Sequence, residues 1–172
     1  MKKIVLAIIL VFVISRASFA IKLEKLPFLS DFHIGIVNGI GMGLDLGVSG
    51  SIPIDAFRLG LEVEQIMSDI NYSATINATR FGILLGYTIS DTMRLNYHMG
   101  NFNFMPSRLI VFQDSSGSTY VLDEAVNYKG QYWAFSLDYR AWDFIFTPKF
   151  MVDSIFDKGT VRELDLNIGR SF

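Results

Sequence analysis

The chain has 172 residues, of which 51% are apolar and 14% are aromatic, and it contains no cysteine. This composition excludes a disordered protein, and the lack of cysteine excludes disulfides, thiol catalysis, zinc ribbons and iron–sulfur clusters. The formal net charge of −2 gives no electrostatic reason to expect nucleic acid as a partner. Fourteen glycines against four prolines suit strands and tight turns better than long helices.

The first 20 residues have the three parts of a secretory signal peptide. Lys2 and Lys3 form a basic start, an apolar run occupies 4–14, and small residues stand at Ser18 and Ala20. This apolar run is well short of the ~20 residues that a membrane-spanning helix needs. We therefore predict a signal peptide over residues 1–20, cleavage after Ala20, and one domain over residues 21–172.

The rest of the chain alternates between apolar and polar residues with a period of two. Phe57, Leu59 and Leu61, for example, alternate with charged residues and glycine. Such alternation is typical of β-strands, whose successive side chains point to opposite faces of a sheet. All but the first of the predicted strands reach the ~9–11 residues that a membrane strand requires. We predict eight strands, near residues 31–38, 41–52, 56–68, 79–89, 93–104, 131–141, 143–156 and 160–172.

Short and long connections alternate along the chain. Short ones are predicted at 51–56, 90–92 and 141–143, and longer polar ones at 68–78 and 106–130, with a brief one at 157–159. The segment 106–130 contains two further apolar runs, which either extend above a barrel or add two strands to make ten. Pro148 lies inside a predicted strand and indicates a bulge, because proline cannot donate to the hydrogen-bond ladder.

Two architectures produce this alternation. A soluble lipocalin-like barrel has an apolar interior for small apolar ligands, whereas a membrane barrel has an apolar exterior and a polar lumen. Along each strand, one set of alternate residues is polar and the other is apolar; we call these the polar parity and the apolar parity. The polar parity carries many glycines, which relieve crowding inside a narrow barrel, and the apolar parity carries the bulky side chains. Aromatic residues also gather near the strand ends, as in lipid-interface girdles. These features favour the membrane barrel; the aromatic residues are Phe57, Tyr87, Tyr139 and Trp142 beside the short turns, and Phe104, Trp133 and Phe156 beside the longer connections.

With its signal peptide and its final strand ending in Phe172, the chain resembles the small bacterial outer-membrane β-barrel proteins. In that family, alternate apolar residues of the last strand are read by the barrel-assembly machinery. Here these positions are Leu164, Leu166, Ile168 and Phe172, while Arg170 stands where an aromatic residue is usual. The resemblance implies an all-β, antiparallel up-and-down transmembrane barrel of eight strands (alternatively ten). It also implies contact with outer-membrane lipid and with the assembly machinery, and an N-terminus on the periplasmic side.

The polar parity places charged side chains inside this barrel. The interior of an eight-stranded barrel is just wide enough to be filled by side chains, and buried charges persist only when they are paired. We therefore predict a salt-bridged plug, with a small diffusion pore that weakly prefers cations as the alternative. The predicted lumen charge network comprises Asp45, Arg58, Glu62, Glu64, Arg80, Arg94, His98, Asp138, Arg140, Lys149, Asp153, Glu163 and Asp165.

The two histidines give little support for catalysis or metal binding. Some barrels of this size are lipid-modifying enzymes that use His with Ser or an acid, but His98 has Gly100 and no hydroxyl two residues on. His33 and His98 lack the spacing of a metal motif. We expect no catalytic residue, cofactor or metal, with a lipid-modifying enzyme as a further alternative. The expected role is structural or interactive, with a surface ligand at loops 68–78 and 106–130, where Tyr72, Tyr120 and Tyr128 are candidate contacts.

Overall fold

The computed structural model describes residues 28–39, 41–70, 74–114, 116–124, 126–156 and 158–171. The predicted signal peptide and Phe172 lie outside these residues. Within them, no helix has the length and apolar character needed to cross a membrane. The described residues form ten strands: β1 (Leu29–Asn38), β2 (Met42–Ile54), β3 (Phe57–Ile70), β4 (Ala74–Ser90), β5 (Met93–Pro106), β6 (Ile110–Gln113), β7 (Thr119–Leu122), β8 (Tyr128–Ala141), β9 (Phe144–Ile155) and β10 (Gly159–Ser171).

Eight of these strands close into one antiparallel barrel, in the order β1-β10-β9-β8-β5-β4-β3-β2. The first and last strands pair directly, from Asp31↔Ser171 to Asn38↔Leu164, so the sheet has no free edge. Strands β6 and β7 pair only with each other and form a hairpin outside the barrel sheet. The predicted all-β barrel of eight strands is confirmed, and the additional apolar runs do not enlarge it to ten.

The two ends of the barrel differ in their connections. Turns of two residues at 55–56, 91–92 and 142–143 lie at one end, together with the start of β1 and the end of β10. We call this the short-turn end. Two of these turns hold a residue in the left-handed region, Asp55 with φ of 53° and Trp142 with φ of 54°. The opposite end, the loop end, carries the connections 39–41, 71–73, 107–127 and 156–158.

The outer surface of the barrel changes character between these ends. In the half nearer the short turns, outward side chains such as Leu59, Leu85 and Phe135 are apolar and exposed. In the half nearer the loop end, many outward side chains are polar, among them Asp69, Thr75, Asn77, Asn101, Asn103, Lys129, Gln131 and Arg162. The inward side chains change in the opposite sense, from charged to apolar. One barrel therefore carries a membrane-type pattern in its short-turn half and a soluble-type pattern in its loop half.

This reversal explains why the predicted loop at 68–78 is wrong. Strand β3 continues to Ile70 and β4 begins at Ala74, with Ser68↔Ile76 and Asp69↔Thr75 paired, so that only residues 71–73 connect them. The segment reads as a polar loop because its outward residues are polar there. For the same reason Phe104 points inward, where it is 4% exposed, and does not belong to an outer aromatic girdle.

The bulge predicted at Pro148 is also absent from the described strands β8 and β9. Pairing between them continues in one register from Ser136↔Lys149 to Tyr139↔Phe146, with the ladder interrupted opposite Pro148. On its other side Pro148 pairs with Leu166 of β10. A register shift occurs instead between Thr88 and Ser90 at the end of β4. The missing N–H of proline thus breaks the ladder locally without adding a residue.

Candidate functional site

The lumen of the short-turn half contains three groups of ion pairs, and the group nearest the short turns centres on Arg58. The guanidinium of Arg58 donates to Asp31 at 2.8 Å and to Asp138 at 3.3 Å. Arg94 lies 3.9 Å from Asp138 and is 14% exposed. These side chains come from β1, β3, β5 and β8. Arg58 of β3 joins two strands that are not its neighbours, β1 and β8, whereas Arg94 and Asp138 lie on the adjacent strands β5 and β8.

A second group surrounds Arg80 near the middle of the barrel. Arg80 is 2% exposed and donates to Asp153 at 2.6 Å and to Glu163. The carboxylates of Glu64 and Asp165 each lie 3.8 Å from the guanidinium, which also lies 5.8 Å above the centre of the Tyr132 ring. One arginine is therefore the main compensating charge for several buried acids, an arrangement in which charges persist only through mutual pairing.

The third group connects Glu62, His98 and Lys149. His98 Nδ1 lies 2.7 Å from Glu62, and its Nε2 lies 2.8 Å from the Ser136 hydroxyl. The Tyr132 hydroxyl donates to the other oxygen of Glu62 at 2.9 Å. Lys149 donates to Glu64 and lies 3.9 Å from Glu62. All of these side chains are buried, and they connect β3, β5, β8 and β9 across the lumen.

The structure places most of the predicted lumen residues in these groups. Asp45 is also buried, where its carboxylate lies 3.3 Å from His33. Arg140 does not join them: it is exposed near the short-turn end and forms no ion pair with the residues that the structure describes. Its position one residue before the end of β8 puts it at the barrel mouth, where water solvates it. Sequence reasoning did not include Asp31, His33, Tyr132 or Ser136 in the network.

The alternate residues of β10 lie on the outer surface. Leu164, Leu166 and Ile168 are 49%, 58% and 39% exposed. Arg170 continues this face and lies 3.8 Å from Asp143, with both side chains largely exposed. The last of the predicted assembly residues, Phe172, is outside the described residues. The described part of the strand thus presents an apolar ridge to the surroundings of the barrel.

The loop half of the barrel has an apolar interior that includes the hairpin β6–β7. Ile110, Phe112 and Leu122 of the hairpin are buried in the same cluster as Val37, Ile66, Ile76, Phe102, Phe104 and Val161 of the barrel wall. Two of the tyrosines predicted to contact ligands instead contact other residues of the protein here. Tyr128 stacks on Phe104 at 5.3 Å and its hydroxyl accepts from the Asp123 N–H, while Tyr120 stacks on Phe112 at 5.8 Å. The inner face of the hairpin therefore packs against the apolar wall of the loop half.

The outer face of the hairpin is apolar and exposed. Val111 and Val121 lie opposite each other and are 60% and 42% exposed, and the neighbouring Leu109 is 58% exposed. At the tip, Asp114 accepts hydrogen bonds from the N–H groups of Ser116 and Ser118. Its hydrogen bond with the Ser116 hydroxyl is the largest of the interactions that hold the pKa of Asp114 below its usual value. The tip is thus closed by a carboxylate that is ionised at neutral pH.

Comparison with known proteins identifies the architecture. No protein-family model matches the chain, and no curated protein matches it. Among solved structures, it resembles a major outer-membrane protein of Thermus thermophilus, with a TM-score of 0.59, 12% identity, and coverage of 85% of this chain and 100% of that one. The N-terminal β-barrel domain of Pseudomonas aeruginosa OprF gives a TM-score of 0.54 at 13% identity, with 84% and 97% covered. The Yersinia pestis outer membrane protein Ail gives 0.54 at 10% identity, with 85% and 100% covered. The chain therefore has the fold of the eight-stranded outer-membrane β-barrels.

Proposed function

We propose that the protein is a bacterial outer-membrane barrel with a closed lumen, whose role is structural or interactive and is carried by its loop end. The supporting feature for the membrane location is the apolar outer surface of the short-turn half, because lipid-facing residues of such barrels form an apolar band. We propose that the barrel is oriented with its short turns and its N-terminus in the periplasm. The apolar ridge of Leu164, Leu166 and Ile168, with Phe172 beyond it, serves as the signal for the barrel-assembly machinery.

The single observation that supports the closed lumen is that buried side chains cross both halves of the interior and leave cavities of only about 30 and 40 Å³ between them. In the short-turn half the Arg58, Lys149 and Arg80 groups cross the lumen, and each of these three cations is at most 5% exposed. In the loop half the apolar cluster lines the interior, and Leu122 of the hairpin is packed within it at 0% exposure. Conduction needs a continuous water path along the whole lumen, and these layers of side chains support our proposal that the lumen is closed.

The hairpin β6–β7 is the element that we propose for surface interactions. Its inner face packs in the apolar cluster of the loop half, but Leu109, Val111 and Val121 on its outer face are exposed. Exposed apolar side chains on a rigid scaffold are typical of interaction sites. Segment 68–78, which the sequence predicts as a second ligand-binding loop, is not part of this proposal, because β3 and β4 occupy most of it.

Bilayer conductance tests the closed lumen. We expect protein purified from the outer-membrane fraction to give no stable single-channel openings in a planar lipid bilayer. A variant in which residues 109–122 are replaced by a Gly-Ser linker should also stay closed, because the three ion-pair groups lie below the hairpin. Openings of the unaltered protein would instead support the pore alternative, and recovery in the soluble periplasmic fraction would contradict the membrane location.

We further propose that the protein is not an enzyme, although Ser136, His98 and Glu62 lie in the order of a catalytic triad. Ser136 is 2% exposed, and its hydroxyl also accepts a hydrogen bond from the Asn96 amide at 3.1 Å. The cavity that reaches the neighbouring His98 from the short-turn side is only about 40 Å³, and Arg58 lies in its wall. An acyl chain is too large for this cavity, which supports our proposal that Ser136 does not act on a lipid.

A fluorophosphonate probe tests this interpretation. We expect the folded protein to remain unlabelled, and incubation with labelled phospholipid or lipopolysaccharide to release no acyl chain. The matched comparison is Ser136→Ala, which should behave in the same way as the unaltered chain. Labelling that depends on folding and disappears in Ser136→Ala would show that the lipid-modifying alternative is correct.

A further inference from the structure

Three neighbouring strands bring His33, Gly47 and Glu64 into one row on the lumen wall. His33 of β1 pairs with Gly47 of β2, and Gly47 pairs with Glu64 of β3. A Cβ atom on residue 47 would lie 2.1 Å from the His33 ring, so the glycine provides the space in which the imidazole rests. Because no side chain stands between them, His33 Nε2 and Glu64 Oε1 approach to 3.6 Å.

Asp45 completes the group from the next inward position of β2. Its carboxylate is 0% exposed and its Oδ2 lies 3.3 Å from the same His33 Nε2. The other oxygen, Oδ1, is buried and accepts no hydrogen bond from the described residues. A buried carboxylate oxygen without a donor is costly, so this atom has room for a further donor or a cation.

The charge of the whole lumen leads to the same conclusion. The lumen ion pairs bring together eight carboxylates, from Asp31, Asp45, Glu62, Glu64, Asp138, Asp153, Glu163 and Asp165, and four permanent cations, Arg58, Arg80, Arg94 and Lys149. Among these cations Lys149 is the nearest to the His33 row, and it contacts Glu64 rather than Asp45. Among these carboxylates Asp45 has no arginine or lysine of the described residues within 4.0 Å, so a bound cation gains most there.

We propose that His33, Asp45 and Glu64 bind a divalent transition-metal ion, with Zn²⁺ as the preferred ion. One imidazole with two carboxylates is a donor set that suits Zn²⁺ better than Mg²⁺ or Ca²⁺, which prefer oxygen ligands alone. Ligand atoms at about 2.1 Å from a tetrahedral Zn²⁺ lie about 3.4 Å from one another. The separations of 3.3 Å and 3.6 Å from His33 Nε2 to the two carboxylates agree with this geometry.

The surroundings leave a fourth position and an entry route. His33 and Glu64 line a cavity of about 40 Å³, with room for a water-sized molecule beside the buried Asp45. The His33 side chain is 17% exposed, the most accessible of the three ligands, and lies on the short-turn side of the lumen. Hydrated ions therefore reach the site from the periplasmic end, without a path through the apolar loop half.

Lys149 competes with the metal for Glu64. Its ammonium contacts Glu64 and lies 3.9 Å from Glu62, so it shifts toward Glu62 when an ion takes the Glu64 oxygen. This competition lowers the affinity below that of a site without a neighbouring cation. It also gives the site a distinctive property, because removal of a positive side chain that is not a ligand should tighten metal binding.

Calorimetric titration of the folded, chelator-treated protein in detergent micelles tests the proposal. We expect one Zn²⁺ ion per chain, a higher thermal unfolding midpoint with Zn²⁺, and no comparable effect of Mg²⁺. His33→Asn and Gly47→Ala should each weaken binding at least about tenfold, the second by displacing the imidazole without removing a ligand. Lys149→Met should bind Zn²⁺ more tightly, and the control His98→Gln, at the other lumen histidine, should bind as the unaltered protein does.

Two results would overturn the proposal. The first is the absence of saturable 1:1 Zn²⁺ binding by the unaltered protein, which is decisive even where a variant fails to fold. The second is Gly47→Ala that folds and binds Zn²⁺ with undiminished affinity, since its Cβ atom takes the space of the His33 ring. In either case the row is a hydrogen-bonded histidine between two carboxylates. The absorption bands of bound Co²⁺ provide a separate measure of tetrahedral ligation that does not depend on stability.

Discussion

Replacement of Arg80 by methionine should lower the free energy of unfolding by at least about 3–5 kcal/mol, the cost of breaking a buried ion pair by removing one partner. The reason is that Arg80 is the shared partner of Asp153 and Glu163 and lies 3.8 Å from both Glu64 and Asp165. Its loss leaves these carboxylates close together without their main compensating charge. The measurement is the urea unfolding midpoint of the barrel in lipid vesicles, followed by tryptophan fluorescence and by heat-modifiable gel mobility.

Arg94→Met provides the matched control for this substitution. Arg94 also points into the lumen, but its ion pair with Asp138 spans 3.9 Å and its side chain is 14% exposed, so water replaces part of what is lost. We expect a much smaller fall in stability than for Arg80→Met. Equal effects of the two substitutions would contradict the ranking of the ion-pair groups that the distances and burial provide.

Leu85→Arg should destabilise the barrel in a lipid bilayer by roughly 2–4 kcal/mol if residue 85 lies near the bilayer midplane. Leu85 points outward from β4 and is 46% exposed, in the middle of the apolar surface of the short-turn half. The unfolding midpoint in vesicles is again the measurement. Ile89→Arg, on the same face but close to the 91–92 turn, should cost only about 0–1 kcal/mol, as expected near the interface.

A substitution at the neighbouring inward position, Leu84, distinguishes an effect of the lipid from an effect of the packed lumen. Leu84 is 2% exposed, so an arginine there is forced into the packed interior and should also be destabilising, whatever surrounds the barrel. The cost of Leu85→Arg, by contrast, should depend on depth in the lipid. If Leu85→Arg has no effect in vesicles while Leu84→Arg prevents folding, the outer surface does not face lipid.

Much of the fold follows from the period-two pattern. Residues such as Leu59 and Leu85 on one parity, and Arg58 and Arg80 on the other, predict which side chains point outward and which inward. The pattern fails at 68–78 and at Phe104, because polarity there reverses while the parity stays the same. A polar outward surface resembles a loop in the sequence, and only the pairing of Asp69 with Thr75 shows that the strands continue.

The candidate site is less predictable, because parity gives the direction of a side chain but not its partners. Arg80, Arg94 and Arg140 are equivalent in the sequence, yet the first is at the centre of four acids and the last is exposed. Ser136 reaches His98 from the adjacent strand, where it is paired with Asn96, so a search along the His98 strand does not find it. Likewise His33 and Glu64 meet only because β2 places a glycine between them.

The reversal of polarity along the barrel has a consequence for the kinetics of membrane insertion. If the loop half lies outside the membrane, its strands must be carried across the hydrocarbon layer while their outer surface still bears Asp69, Lys129 and Arg162. Each charged side chain costs free energy at the bilayer centre, up to about 2–4 kcal/mol for arginine or lysine. These costs fall on the transition state and not on the final structure. Spontaneous refolding into vesicles should therefore be slow, and thinner bilayers should accelerate it more than they change the stability of the inserted barrel.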